Sequence, residues 1–108
     1  MEVKFTQMAE NCLQEIESWA IEHFPENEVA EFVDGLVIRN FEAISENPTG
    51  YRFNKTLLDF GIKFRERLDN GYRCLYEIDN DTAYVMLFLR TKQDLINALY
   101  RHQILRDE

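Results

Sequence analysis

Residues 62–90 constrain the fold more than any other stretch of the chain. Ile62–Leu68 alternates, with Ile62, Phe64 and Leu68 on one face and Lys63, Arg65 and Arg67 on the other. Tyr72–Ile78 alternates with Tyr72, Cys74, Tyr76 and Ile78 on one face, and Ala83–Arg90 is apolar on both. A period of two specifies strands, and the doubly apolar run specifies a central strand covered on both sides. The short breaks between the runs make the three a meander. A two-residue Asn70-Gly71 turn would set Leu68 opposite Arg73 and Arg65 opposite Tyr76, mixing the faces. A three-residue loop Asp69-Asn70-Gly71, with Gly71 left-handed, pairs Leu68 with Tyr72, Glu66 with Cys74 and Phe64 with Tyr76, and is the register expected. A four-residue loop Asp79–Thr82 then pairs Ile78 with Ala83, Tyr76 with Val85 and Cys74 with Leu87.

The remaining segments supply helices to cover this sheet. Glu2–Thr6 alternates as a short strand, and Thr6 can cap a helix beginning at residue 7. Ala9, Leu13, Ile16 and Ala20, with Cys12 and Trp19 beside them, predict an amphipathic helix over 7–23. Phe24-Pro25-Glu26-Asn27 breaks it, with Asn27 as the expected cap of a second helix. That helix carries Val29, Val33, Leu36, Val37 and Ile44 and stops at Asn47-Pro48-Thr49-Gly50. Gly35 in its middle costs about 1 kcal/mol relative to alanine, and close approach of the first helix is the expected compensation. Residues 51–61 read as an irregular, aromatic-rich connection. Thr91-Lys92-Gln93-Asp94 resembles a capping box opening a last helix with Leu95, Ile96, Leu99 and Tyr100 on its apolar side. The expected architecture is α+β: an N-terminal strand, a two-helix hairpin packed on a small antiparallel sheet, and a C-terminal helix, in a single domain over 1–108.

Composition removes several function classes. The 12 Lys+Arg against 20 Asp+Glu give a net charge of −8. That disfavours general phosphate-backbone coating, direct sequence-specific DNA binding by this chain, and attachment to an anionic membrane. The imbalance is local: residues 1–50 hold eleven acids and two bases, whereas residues 51–108 hold ten bases and nine acids. The longest apolar run, Ala83–Leu89, is too short to span a bilayer, and the start gives no signal peptide, so a cytoplasmic protein is expected. Cys12 and Cys74 form no CxxC pair and read as free thiols, and His23 and His102 have no ligand spacing, so neither metal nor cofactor is expected. Ser18 and Ser45 lie in helical segments without a nucleophile elbow.

With these registers, Arg67 lies opposite Arg73, Arg73 opposite Phe88, and Arg90 beside Gly71. Arg67, Arg73 and Arg90 then cluster on the sheet face away from the helix hairpin, continued by Arg65 and Lys63. Leu75, Tyr84, Met86 and Phe88 form an apolar floor there. Such a face needs an acidic or phosphate-bearing cover: a partner, the last helix or a second copy. The plainer alternative is a solvated strand face whose charges deter edge pairing. Tyr100 and His102 are acid–base candidates near it, whereas Trp19 and the phenylalanines read as core.

These residues resemble the ParE/RelE superfamily of bacterial type II toxin–antitoxin toxins. The matching stretches are Phe5-Thr6 with Ala9, Leu13, Ile16 and Trp19; Ala30 with Phe32; Asn47-Pro48; Gly61 and Arg65; Tyr72–Ile78; and Arg90 with Gln93-Asp94-Leu95. The long hairpin and the Arg–Gln-Asp-Leu ending are closer to ParE, the branch linked to plasmid stabilisation. The resemblance implies a toxin that binds its target, DNA gyrase, and is neutralised by a cognate antitoxin, an inhibitor rather than an enzyme. Its partner-binding residues would be Lys63, Arg65, Arg67, Arg73, Leu75, Tyr84, Met86, Phe88, Arg90 and Lys92. The alternatives are a RelE-like ribosome-dependent mRNA endonuclease, using Arg65, Arg67, Arg73, Arg90 and Tyr100, or a non-toxic member keeping only antitoxin binding.

Overall fold

Thr6 ends a strand and starts a helix with one side chain. In the computed structural model, which describes residues 1–102 and Ile104, its hydroxyl donates to the Val85 carbonyl of the sheet and accepts from the Ala9 N–H. Strand β1 (Glu2–Phe5) therefore passes directly into α1 (Gln7–Ile21), and α2 (Glu26–Glu46) returns beside it. The second helix is capped at Pro25 without a side-chain bond, not at Asn27, because proline's fixed φ suits a helix start. After a short α3 (Lys55–Asp59) come β2 (Arg65–Asp69), β3 (Tyr72–Asp79), β4 (Thr82–Arg90) and α4 (Leu95–Arg101). The sheet order is β1-β4-β3-β2, with β1 parallel to β4 and the meander antiparallel.

The β2–β3 register corrects the expected one. Arg65 lies opposite Tyr76, Arg67 opposite Cys74 and Leu68 opposite Arg73. Asn70 and Gly71 both take positive φ, 49° and 82°, so the connection is a two-residue turn whose twist matches the strands it joins. Agreement of apolar faces was the wrong criterion here. The side of β2 that faces the helices is polar, and its charges are paired rather than solvated. Arg67 donates to Asn40 of α2 (2.9 Å) and to Asp69 (2.8 Å), and Asp69 also accepts from Arg39 of α2.

A bulge on β4 changes the other half of the sheet. Tyr76 pairs with Val85 and Ile78 with Ala83, as expected, but Leu75 pairs with Leu87 and Cys74 with Phe88. Met86 is the extra residue, and it turns Leu87 to the face opposite Val85. Val3, Phe5, Tyr72, Cys74, Tyr76, Ala83, Val85 and Phe88 thus lie on the hairpin side. Leu75, Leu87 and Leu89 lie on the far side, where all three are buried.

Two elements differ from expectation for local reasons. Asn54 caps α3 by accepting from the Leu57 N–H and donates to Glu66 on the far face of the sheet. This brings α3 over that face, and Leu57 joins the core with no exposure. The final helix is capped by Asp94, whose carboxylate accepts from the Asn97 N–H, so Thr91 opens a turn and not the helix. Gly35 makes room for the Arg39 guanidinium, which a Cβ would meet at 2.7 Å, and not for α1.

Candidate functional site

The expected arginine cluster is distributed over three environments. Arg65 reaches back under the loop before α3, donating to the Tyr51 carbonyl (2.7 Å) and the Thr49 carbonyl (3.2 Å), with its guanidinium 4.2 Å from the centre of the Phe53 ring. Arg67 is enclosed between the sheet and α2 by its bonds to Asn40 and Asp69. Arg73 alone lies on the far face, bonded to Glu66 and to the Thr91 carbonyl. Of the proposed floor, Leu75 and Phe88 are buried, on opposite faces, and Tyr84 and Met86 are half-buried. Lys63 and Lys92 are exposed and make no ion pair among the described residues. The misplacement follows from the one-residue register error on β2 and the bulge at Met86, each of which exchanges faces.

Arg90 is the one arginine of the set that is both exposed and without a carboxylate partner among the described residues. It pairs with Tyr72 at the end of the meander and points to the hairpin side, its guanidinium 5.4 Å from the centre of the Trp19 ring. Gln93 accepts from the Arg90 N–H and fixes the turn into α4. Together these groups line a cleft of about 320 Å³ between α1, the ends of β3 and β4, and α4. Its other walls are Cys12, Glu15, Ile16, Tyr72, Phe88 and Arg101. Arg101 closes one side by pairing with Glu15 at 3.2 Å. Trp19 is held in place by His23, stacked on it at 4.5 Å and donating from Nδ1 to the Trp19 carbonyl.

The arrangement can recognise an anion. Arg90 presents guanidinium donors over an aromatic face, an arrangement suited to carboxylate or phosphate. Burial shifts the titratable groups that line or adjoin the cleft. Burial pushes the Cys12 thiol up, away from the reactive thiolate. His102, whose Nε2 lies 3.7 Å from the Cys12 sulfur, is held below the ordinary imidazole range by burial and by Arg101. Burial likewise raises Tyr72, against the opposing charge of Arg90. Tyr100 is exposed and does not line the cleft. No three His, Cys, Asp or Glu side chains among the described residues are grouped to hold a metal ion.

Glu15, Trp19, Gln93 and Arg101 were not legible as cleft residues. Trp19 lies one position off the Ala9–Leu13–Ile16–Ala20 stripe and four before His23, and that offset was the available signal that it faces outward.

The order β1-α1-α2-α3-β2-β3-β4-α4 around a bulged four-stranded sheet is a RelE-like α+β fold. A chain of the toxin–antitoxin complex RelBE2 from Mycobacterium tuberculosis shares it, with a TM-score of 0.59 and 20% identity over 82% of this chain and 95% of that one. The likeness is one of fold. No protein-family model and no curated protein sequence matches the chain.

Proposed function

We propose that the chain is the toxin of a type II toxin–antitoxin module, acting by binding its target as ParE-like proteins do and neutralised by a cognate antitoxin. The fold shared with a chain of a toxin–antitoxin complex supports the module. The observation that carries the binding mode is the state of the arginines. A nuclease of this fold needs several free cations around a scissile phosphate. Arg65, Arg67 and Arg73 instead spend their guanidinium groups on internal carbonyls, Asn40, Asp69 and Glu66. Arg90 remains for a partner, with Lys63 and Lys92 as further exposed cations; Tyr84 and Met86 are half-buried elsewhere on β4. DNA gyrase is the target this reading selects.

Two purified assays run side by side test it. The chain should inhibit DNA supercoiling by gyrase and leave ribosome-bound mRNA intact. Cleavage of mRNA on ribosomes with unaffected supercoiling would replace this reading by the RelE-like one.

A further inference from the structure

A second groove lies on the other side of Trp19, where the C-terminal end of α1 meets the start of α2. Its volume is about 360 Å³, and its walls are mostly apolar, Ala20, Phe24, Val29, Phe32 and Tyr72 with Trp19, joined by Glu28 and Asn70. Two of these are poorly covered, Phe24 being 51% exposed and Trp19 39%. Large aromatics left wet at one concave site mark a place where another surface docks.

The charge of the helix hairpin that forms the groove says what can dock, with Arg90 of the sheet lying against Trp19 in the neighbouring cleft. Residues 7–46 carry ten carboxylates and one base, Arg39, which is already bonded to Asp69. All ten carboxylates are exposed, and among the described residues only Glu15 is in an ion pair. Glu28 stands in the groove wall itself. A second copy would bring the same carboxylates face to face, and an acidic peptide, nucleic acid or anionic membrane would be repelled. We propose that this groove docks a basic segment of a protein partner, one that inserts an apolar side chain between Trp19 and Phe24 and sets lysines or arginines against the hairpin carboxylates. The site differs in chemistry from the Arg90 cleft, which selects anions, and it stands whatever the cellular target is.

Trp19 is the chain's one tryptophan, so its fluorescence reports the groove directly. The probe is a short tryptophan-free peptide of alternating lysine and leucine. Its controls carry glutamate for lysine, or serine for leucine. The lysine–leucine peptide should shift Trp19 emission saturably and bind about tenfold more tightly than either control. Phe24→Ala, at an exposed position, should weaken it about tenfold while circular dichroism stays native. Glu28→Lys with Glu31→Lys, one turn along α2, should weaken it and favour the glutamate peptide. Equal binding of all three peptides, no saturable shift, or affinity unchanged by both sets of substitutions overturns the proposal. So does a dimer in sedimentation that Phe24→Ala dissociates, because the occupant would then be a second copy.

Discussion

Asp69 takes hydrogen bonds from two guanidinium groups on two elements, Arg39 of α2 and its strand neighbour Arg67, with its own side chain 8% exposed. Burial alone would raise its pKa, but the hydrogen bonds and charges of Arg39 and Arg67 outweigh that and hold the carboxyl below its ordinary value near 3.8. A depressed folded pKa contributes stability that is complete above the ordinary value and disappears as pH falls through the folded one. Asp69→Asn should therefore lower unfolding stability at neutral pH by about 2 kcal/mol, since it leaves Arg67 enclosed without its anion. It should also flatten the acid limb of the stability curve below about pH 4. Urea titrations of both proteins across pH 2–7 measure both effects, and parallel acid limbs would show that the carboxylate is not the group being titrated. No sequence spacing announces such a network. An arginine at an alternate strand position reads as outward, and contacts with Asp69 and with Asn40, 27 residues away, make the inward position tolerable.

At the scale of elements, what was legible came from long periodic segments. The two helices, β3, β4 and the Thr6 cap stand where apolar spacing and capping chemistry put them. The last helix was legible too, but its start was placed three residues early. What was missed depended on pairwise choices. The Asn70-Gly71 turn is the strongest hairpin signal in the chain, yet it conflicted with face agreement, and the turn won because its backbone twist is intrinsic. Met86 sits in a bulge that apolar-on-both-faces sequence conceals. Helix α3 is five residues long, below the length at which periodicity is readable, and it owes its start to Asn54. The site inherited these errors: Arg65, Arg67 and Arg90 were all expected on the face away from the hairpin and lie on the hairpin side instead. If the two-residue turn sets the register, Gly71→Ala should destabilise by about 1 kcal/mol, because φ of 82° excludes a Cβ at no cost. Denaturant midpoints equal for the two proteins would mean that the turn is not under this constraint. Gly35→Ala is the comparison at a helical φ, where only the flexible end of Arg39 must move.

Over the whole molecule, positive and negative functions separate. The hairpin is acidic and carries the Trp19–Phe24 groove, while Lys63, Arg90 and Lys92, exposed and in no ion pair among the described residues, belong to the second half of the chain. Among the described residues the far face of the sheet has no open apolar floor of Leu75, Leu87 and Leu89, which are all buried. Antitoxin binding should nonetheless raise stability by mass action, about 2.7 kcal/mol at a hundredfold excess over Kd, and melting curves with and without the partner would register it. The fold alone does not distinguish inhibitor from nuclease, so the state of individual arginines has to carry that distinction.

The most direct measurement is inducible expression in bacteria of the wild-type chain and of Arg90→Glu, with cell length, DNA-damage response and translation monitored together. Arg90 is exposed and has no carboxylate partner among the described residues, so the reversal should leave the fold native by circular dichroism. The wild type should give filamented, growth-arrested cells with DNA damage and continued translation, and Arg90→Glu should give normal growth. Arrest of translation by the wild type, or full toxicity from a folded Arg90→Glu chain, would contradict this reading.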